Sequence, residues 1–174
     1  MKRIITILIG VIILSNGVWS NFYFYNQDEP EYNTGAQVYI LNGSGERWDV
    51  EGYKIIISPR KILRGHAKLV YKGNPNEIDK STYYKYEIKE RNNDKNETVY
   101  SSSSSSNDGS VSILSNLNDV GSITGSYSYD ELNKNKQTYE STTMTIAWKD
   151  NKGKMHSETI DLEIHSDISI NDYE

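Results

Sequence analysis

Apolar side chains return at every second position along most of this chain, and rarely at the three-to-four spacing of a helix. In the stretch from Tyr139 to Ile164, Met144, Ile146 and Trp148 share one face. Beyond the polar turn Lys149-Asp-Asn-Lys-Gly-Lys154, Ile160, Leu162 and Ile164 share another, with Thr159, Asp161, Glu163 and His165 opposite. Successive side chains of a strand point to opposite faces. The pattern therefore predicts an antiparallel hairpin with one buried side and one wet side.

The same period runs back along the chain. Ala36 to Leu41 reads as a first strand, closed by the turn residues Asn42-Gly-Ser-Gly45. Trp48 to Ile57 is a second, and Gly52 breaks its alternation as a bulge would. Pro59 ends it, since proline has no N–H for the ladder. Ala67, Leu69 and Tyr71 alternate with Lys68, Val70 and Lys72, and Tyr84, Tyr86 and Ile88 alternate with Lys85, Glu87 and Lys89. Thr98 to about Ser103 pairs back and runs into the serine tract Ser101 to Ser106. Half of that tract is expected as solvent-facing loop, because serine supplies no core contact. Val111, Ile113 and Leu117 re-enter the core, and Gly121 to Lys136 mixes strand and loop. Seven to nine short strands predict an all-β domain: two antiparallel sheets in a sandwich, loosely immunoglobulin-like, with a closed barrel as the alternative.

The first 25 residues differ in kind. They hold Lys2 and Arg3 but no acidic residue, and Ile4 to Leu14 is almost wholly apolar. This predicts one N-terminal transmembrane or signal helix. A retained anchor over residues 4–25 would span about 33 Å at about 1.5 Å per residue, enough to cross a bilayer core. Trp19, Phe22, Tyr23, Phe24 and Tyr25 would form its interfacial belt. The alternative is a signal peptide cut near Ser20. Ser15 and Asn16 weigh against a span, and Trp19 beside the cut weighs against cleavage. In both cases the remainder is exported, either as the extracellular C-terminal domain of a single-pass membrane protein or as a secreted one. The expected layout is 1–25 anchor or signal peptide, 26–35 tether, 36–165 sandwich and 166–174 frayed tail.

Composition removes several function classes. Beyond Tyr25, 17 basic side chains face 24 acidic ones, a balance of −7 with Lys and Glu interspersed. Such a surface lacks the basic cluster that nucleic acid requires. The chain has no cysteine, which removes disulfides, thiolate metal sites, a cysteine nucleophile and a lipid-modified N-terminal cysteine together.

Three segments carry a resemblance: Gly-Glu-Arg-Trp48-Asp-Val-Glu-Gly-Tyr53-Lys-Ile, Tyr71-Lys-Gly73, and Trp148-Lys-Asp-Asn-Lys-Gly153. With the membrane-leading segment before them, they resemble small uncharacterised exported proteins of Bacillus-type bacteria. The resemblance covers nearly the whole exported domain. It implies location and an all-β build, and it carries over no functional residue.

Candidate chemistry is sparse. His66, His156 and His165 read as surface histidines, the last two on opposite faces of one strand. No Gly-x-Ser-x-Gly elbow is present. Asp150-Asn-Lys-Gly153 and Asn107-Asp-Gly109 lack the alternating oxygen ligands of a calcium loop and read as turns. No metal or cofactor is expected. Tyrosine is the unusual signal, with 14 in the chain. Tyr127, Tyr129 and Tyr139 lie among Gly, Ser and Asn, the mixture that binding loops use for rigid contact area at low entropy cost.

The expectation is a non-enzymatic binding module at the cell envelope, contacting a protein or wall polymer through these loop tyrosines and through sheet edges. The alternatives are a small cell-wall hydrolase, which needs a concave pocket with two carboxylates, and an inhibitor-like domain acting on a secreted enzyme. The last would use a protruding loop at Ser101 to Gly109.

Overall fold

The computed structural model describes residues 35–92, 95–127, 131 and 134–170. The expected anchor or signal peptide and nearly all of the tether lie outside them. Among the described residues no helix is long and apolar enough to cross a membrane.

Among the described residues ten strands form two sheets: β1 Ala36–Ser44, β2 Trp48–Ile57, β3 Lys61–Gly65, β4 Lys68–Tyr71, β5 Tyr83–Asn92, β6 Lys95–Ser105, β7 Ser122–Ser126, β8 Thr143–Lys149, β9 Met155–Asp161 and β10 Glu163–Ile170. One sheet runs β10-β1-β2-β3-β7 with β4 also on β2; the other runs β6-β5-β8-β9. Every pairing is antiparallel. The protein is thus an all-β, two-sheet fold of the kind the alternation predicts.

The period of two supplies the core directly. Leu41, Trp48, Val50, Tyr53, Ile55, Ile62 and Leu69 come from the first sheet. Tyr84, Tyr86, Ile88, Met144, Ile146, Trp148 and Ile160 come from the second, and all belong to one buried cluster. Val111, Ile113 and Leu117 join it from a single helical turn at Ile113–Asn116 and its flanks. The Gly52 bulge is present. Leu41 pairs with Tyr53 but Gly43 pairs with Val50. Gly52 there adopts φ +71°, and its N–H donates to Asn42 Oδ1 at 2.7 Å.

Four expectations are corrected. Lys61–Gly65, unassigned by the sequence pattern, is a full strand between β2 and β7. The serine tract is not half loop: Ser101 to Ser105 pair with Glu87 to Tyr83 as an edge strand. An edge strand needs backbone partners on one side only, so its side chains need no core. The closing hairpin does not stay in one sheet. β9 ends at Asp161, Leu162 is wholly buried at the crossing, and β10 pairs with β1 across the other sheet. His156 and His165 therefore stand on different strands of different sheets. Finally, Ser166 to Ile170 do not fray, because they pair with Ile40 to Ala36.

Candidate functional site

Two polar assemblies mark this fold. The first is buried between the sheets. Arg64 is the inward position after Ile62 on β3, and Glu90 the inward position after Ile88 on β5. Arg64 Nε and Nη2 donate to Glu90 Oε1 and Oε2 at 2.6 and 2.8 Å. Arg64 Nη2 also reaches Glu131 Oε1 at 2.7 Å, and Lys134 Nζ reaches Glu90 Oε2 at 2.9 Å. Two cations thus neutralise two anions away from water. Burial alone would raise the Glu131 carboxyl, but Arg64 and Lys134 offset this and hold its pKa below the ordinary value.

The same assembly settles the place of Tyr139. Asn135 accepts from Thr138 N at 3.1 Å while Thr138 Oγ1 accepts from Asn135 N at 3.3 Å, a capping box that winds Lys136–Tyr139 into one helical turn. The turn folds the Tyr139 ring inward, leaving it 1% exposed. Its hydroxyl donates to Glu131 Oε2 at 3.2 Å, and its ring packs on Tyr39 with centroids 5.3 Å apart. Tyr139 is a core residue and not a surface contact. Tyr127 follows β7, packs half-buried against the core and is anchored by its N–H to Arg60 O at 3.0 Å. Tyr129 lies outside the described residues.

The second assembly is an open cleft of about 340 Å³ where three connections meet: β1 to β2, β4 to β5, and β8 to β9. Its floor is aromatic. Trp148 meets Trp48 edge-on at 5.7 Å, and Tyr71 leans on Trp48 at 4.9 Å. The His156 ring stacks on Trp148 at 5.4 Å with 19° between planes, so the imidazole covers the indole. Asp150 fixes that imidazole, Nε2 to Oδ2 at 2.9 Å, while its Oδ1 accepts the Lys152 and Lys154 amides at 2.9 Å each. The histidine hydrogen bond and those two amides hold the Asp150 carboxyl below its ordinary pKa.

The walls are tied to one another. Asn74 caps a 3-10 turn at Pro75–Glu77 by accepting from Asn76 N at 3.0 Å. Asn151 bridges that turn to the β8–β9 turn. Its Nδ2 donates to Asn76 O at 2.7 Å and to Asp79 Oδ1 at 2.6 Å, and its Oδ1 accepts from Lys80 N at 2.9 Å. On the opposite wall Arg47 Nη1 donates to Tyr71 Oη and Glu77 Oε2, both at 3.2 Å, and Tyr71 Oη donates to Glu77 Oε2 at 3.1 Å. The sequence predicts both turns, Gly73 to Asn76 and Asp150 to Gly153, but not that they are joined. Asn-Pro at 74–75 and Asp-Asn at 150–151 are turn signals that nothing local links.

The cleft brings together an imidazole–carboxylate pair, an Arg–Tyr–Glu cluster and a turn lysine, Lys152, with no partner among the described residues. Among the described residues no Ser, Thr or Cys side chain lines it. Among the described residues no three His, Asp or Glu side chains converge to hold a metal. The fold and the cleft define an all-β domain with a polar site carried on its connections. Comparison with protein-family models, with curated proteins and with solved structures returned no match.

Proposed function

We propose that this chain is a non-enzymatic binding module of the cell envelope, and that it holds its partner, a wall polymer, in the cleft between Arg47, Tyr71 and the Asp150–His156 turn. The observation that carries the reading is the cross-bracing of that cleft by its own side chains. Asn151 joins two turns through four hydrogen bonds, one of them from its own amide to Glu77 O, and the ring stack fixes the floor. Pre-set polar groups over an apolar floor are what a recognition site needs, since less freedom is lost on binding. A sandwich in the loose immunoglobulin sense suits this role, because its connections gather at the two ends. The export reading accompanies it: residues 4–25 tether the domain to the membrane, or cleavage near Ser20 releases it.

A hydrolase is the second reading, favoured by Glu77 and Asp150 sharing one concave site. It asks for one protonated carboxyl as general acid. Asp150 is held in its charged form by His156 and two backbone amides, which does not suit that role, and Glu77 Oε2 is already engaged by Arg47 and Tyr71.

The test incubates the full chain with purified insoluble cell wall. Cosedimentation with no release of soluble sugar or peptide supports the binding module. Steady release of soluble fragments favours the hydrolase, and absence of both removes the wall as partner.

A further inference from the structure

We infer that the cleft is built to receive an anionic group of its ligand, a carboxylate or a phosphate, between the guanidinium of Arg47 and the ammonium of Lys152. The inference rests on the binding reading above and names the chemistry that the site selects.

The argument is a comparison of engaged and free hydrogen-bonding groups. The acceptors of the cleft are mostly engaged. Asp150 Oδ1 takes two backbone amides and Oδ2 takes His156, Glu77 Oε2 takes Arg47 and Tyr71, and Asn151 Oδ1 takes the Lys80 amide. The donors are not. A guanidinium carries five N–H groups in a planar fork. Arg47 uses only Nη1, which leaves Nε and Nη2 without a partner among the described residues. The Lys152 ammonium likewise makes no hydrogen bond or ion pair among them. A ligand entering here gains by offering acceptors, and the free edge of an arginine fork matches the paired oxygens of a carboxylate or phosphate.

Arg47 is also held in position. Its backbone N–H donates to both Glu158 oxygens at 3.2 and 3.1 Å, its carbonyl accepts from Lys72 N at 2.8 Å, and Tyr71 and Glu77 hold Nη1 from the other side. Glu77 neutralises one edge of the fork and orients the other. Lys152 rides on the turn that Asp150 braces through the Lys152 amide itself. The chain as a whole carries −5, so long-range attraction does not bring an anion here. Short-range geometry does the selecting, and a lone small anion is expected to bind weakly, with Kd on the order of 1 mM.

The experiment follows backbone amide and indole signals of the full chain by NMR during titration with sodium phosphate, sodium acetate and, as a neutral control, glucose, at matched ionic strength. Saturable shifts confined to residues 47, 71–77 and 148–156 with an anion and not with glucose are expected. The same shifts should weaken at least tenfold in Arg47→Gln and in Lys152→Gln, two exposed positions whose unchanged melting temperature verifies the fold. Response to phosphate alone assigns a phosphate-bearing polymer, and response to acetate alone assigns a carboxylate-bearing one. Shifts that persist undiminished in both variants overturn the inference. So does a silent titration, and if the chain still sediments with cell wall, the binding module survives that result with a different ligand chemistry.

Discussion

Arg64 on β3 grips Glu90 on β5 through two parallel hydrogen bonds of 2.6 and 2.8 Å, and so ties one sheet to the other across the core. Their side chains are 8% and 0% exposed. Taking such charges out of water is costly, so a closed network of this kind contributes specificity of packing more than net stability. Opening it is a different matter, since an unpaired buried charge remains.

Arg64→Met should therefore destabilise the protein by about 3–5 kcal/mol, leaving Glu90 and Glu131 to share Lys134 alone. Adding Glu90→Met should restore most of that loss, because the remaining Glu131–Lys134 pair is balanced. Urea midpoints at constant slope measure both. A loss below about 1 kcal/mol for the single variant would mean that water reaches the pair.

The network also sets an acid limit. The Glu131 carboxyl titrates below its ordinary value of 4.5 in the folded state. Its contribution is thus fully present above pH 4.5 and is lost as pH falls through the lowered folded value. Carboxylates with lowered values nearer the surface, such as Asp150 and Glu87, are partly exposed and more strongly screened by salt than this buried one. Melting temperature against pH at high salt should fall on the acid side, and Glu131→Gln should flatten that fall.

Trp148→Ala removes a side chain that is 3% exposed and contacts Trp48, Tyr71 and His156. By precedent for large core truncations it should cost about 3–5 kcal/mol. The variant should also lose order in the cleft, read as line broadening of the His156 ring signals. A variant that melts like the parent would place the indole outside the core.

Tyr53→Phe should behave in the opposite way. The Tyr53 hydroxyl is buried without a hydrogen-bond partner among the described residues, and burial keeps it firmly protonated. Removing it takes away an unsatisfied polar group and no contact, so stability should stay level or rise by up to about 1 kcal/mol. A marked loss would reveal a partner in solution.

Much of the fold was legible because strand alternation is written locally. Trp48, Val50, Tyr53 and Ile55 announced β2, and Tyr84, Tyr86 and Ile88 announced β5. Extending the β5 series by one step reaches Glu90, but a charged residue at an inward position reads as the end of a strand. Lys61–Gly65 shows no apolar alternation for a similar reason, since Arg64 occupies the inward position after Ile62. Half of Ser101 to Ser106 reads as loop, although Ser101 to Ser105 all pair with β5, because side-chain chemistry says nothing of a backbone ladder at a sheet edge.

By itself, then, the sequence determined the strand period, the turns, the Gly52 bulge, and the inward faces of the strands it identified. Each depends on residues within a few positions of one another. Only the tertiary structure decided that β10 leaves its hairpin for the other sheet, that Tyr139 is a core residue, and that Arg47 and Lys152 share a cleft. Those outcomes depend on partners far apart in the chain: Arg64 lies 26 residues from Glu90 and 67 from Glu131, and Asn151 lies 75 from Asn76. A buried charge or a tied turn is stable only with its partner present, and no local pattern says which distant residue that will be.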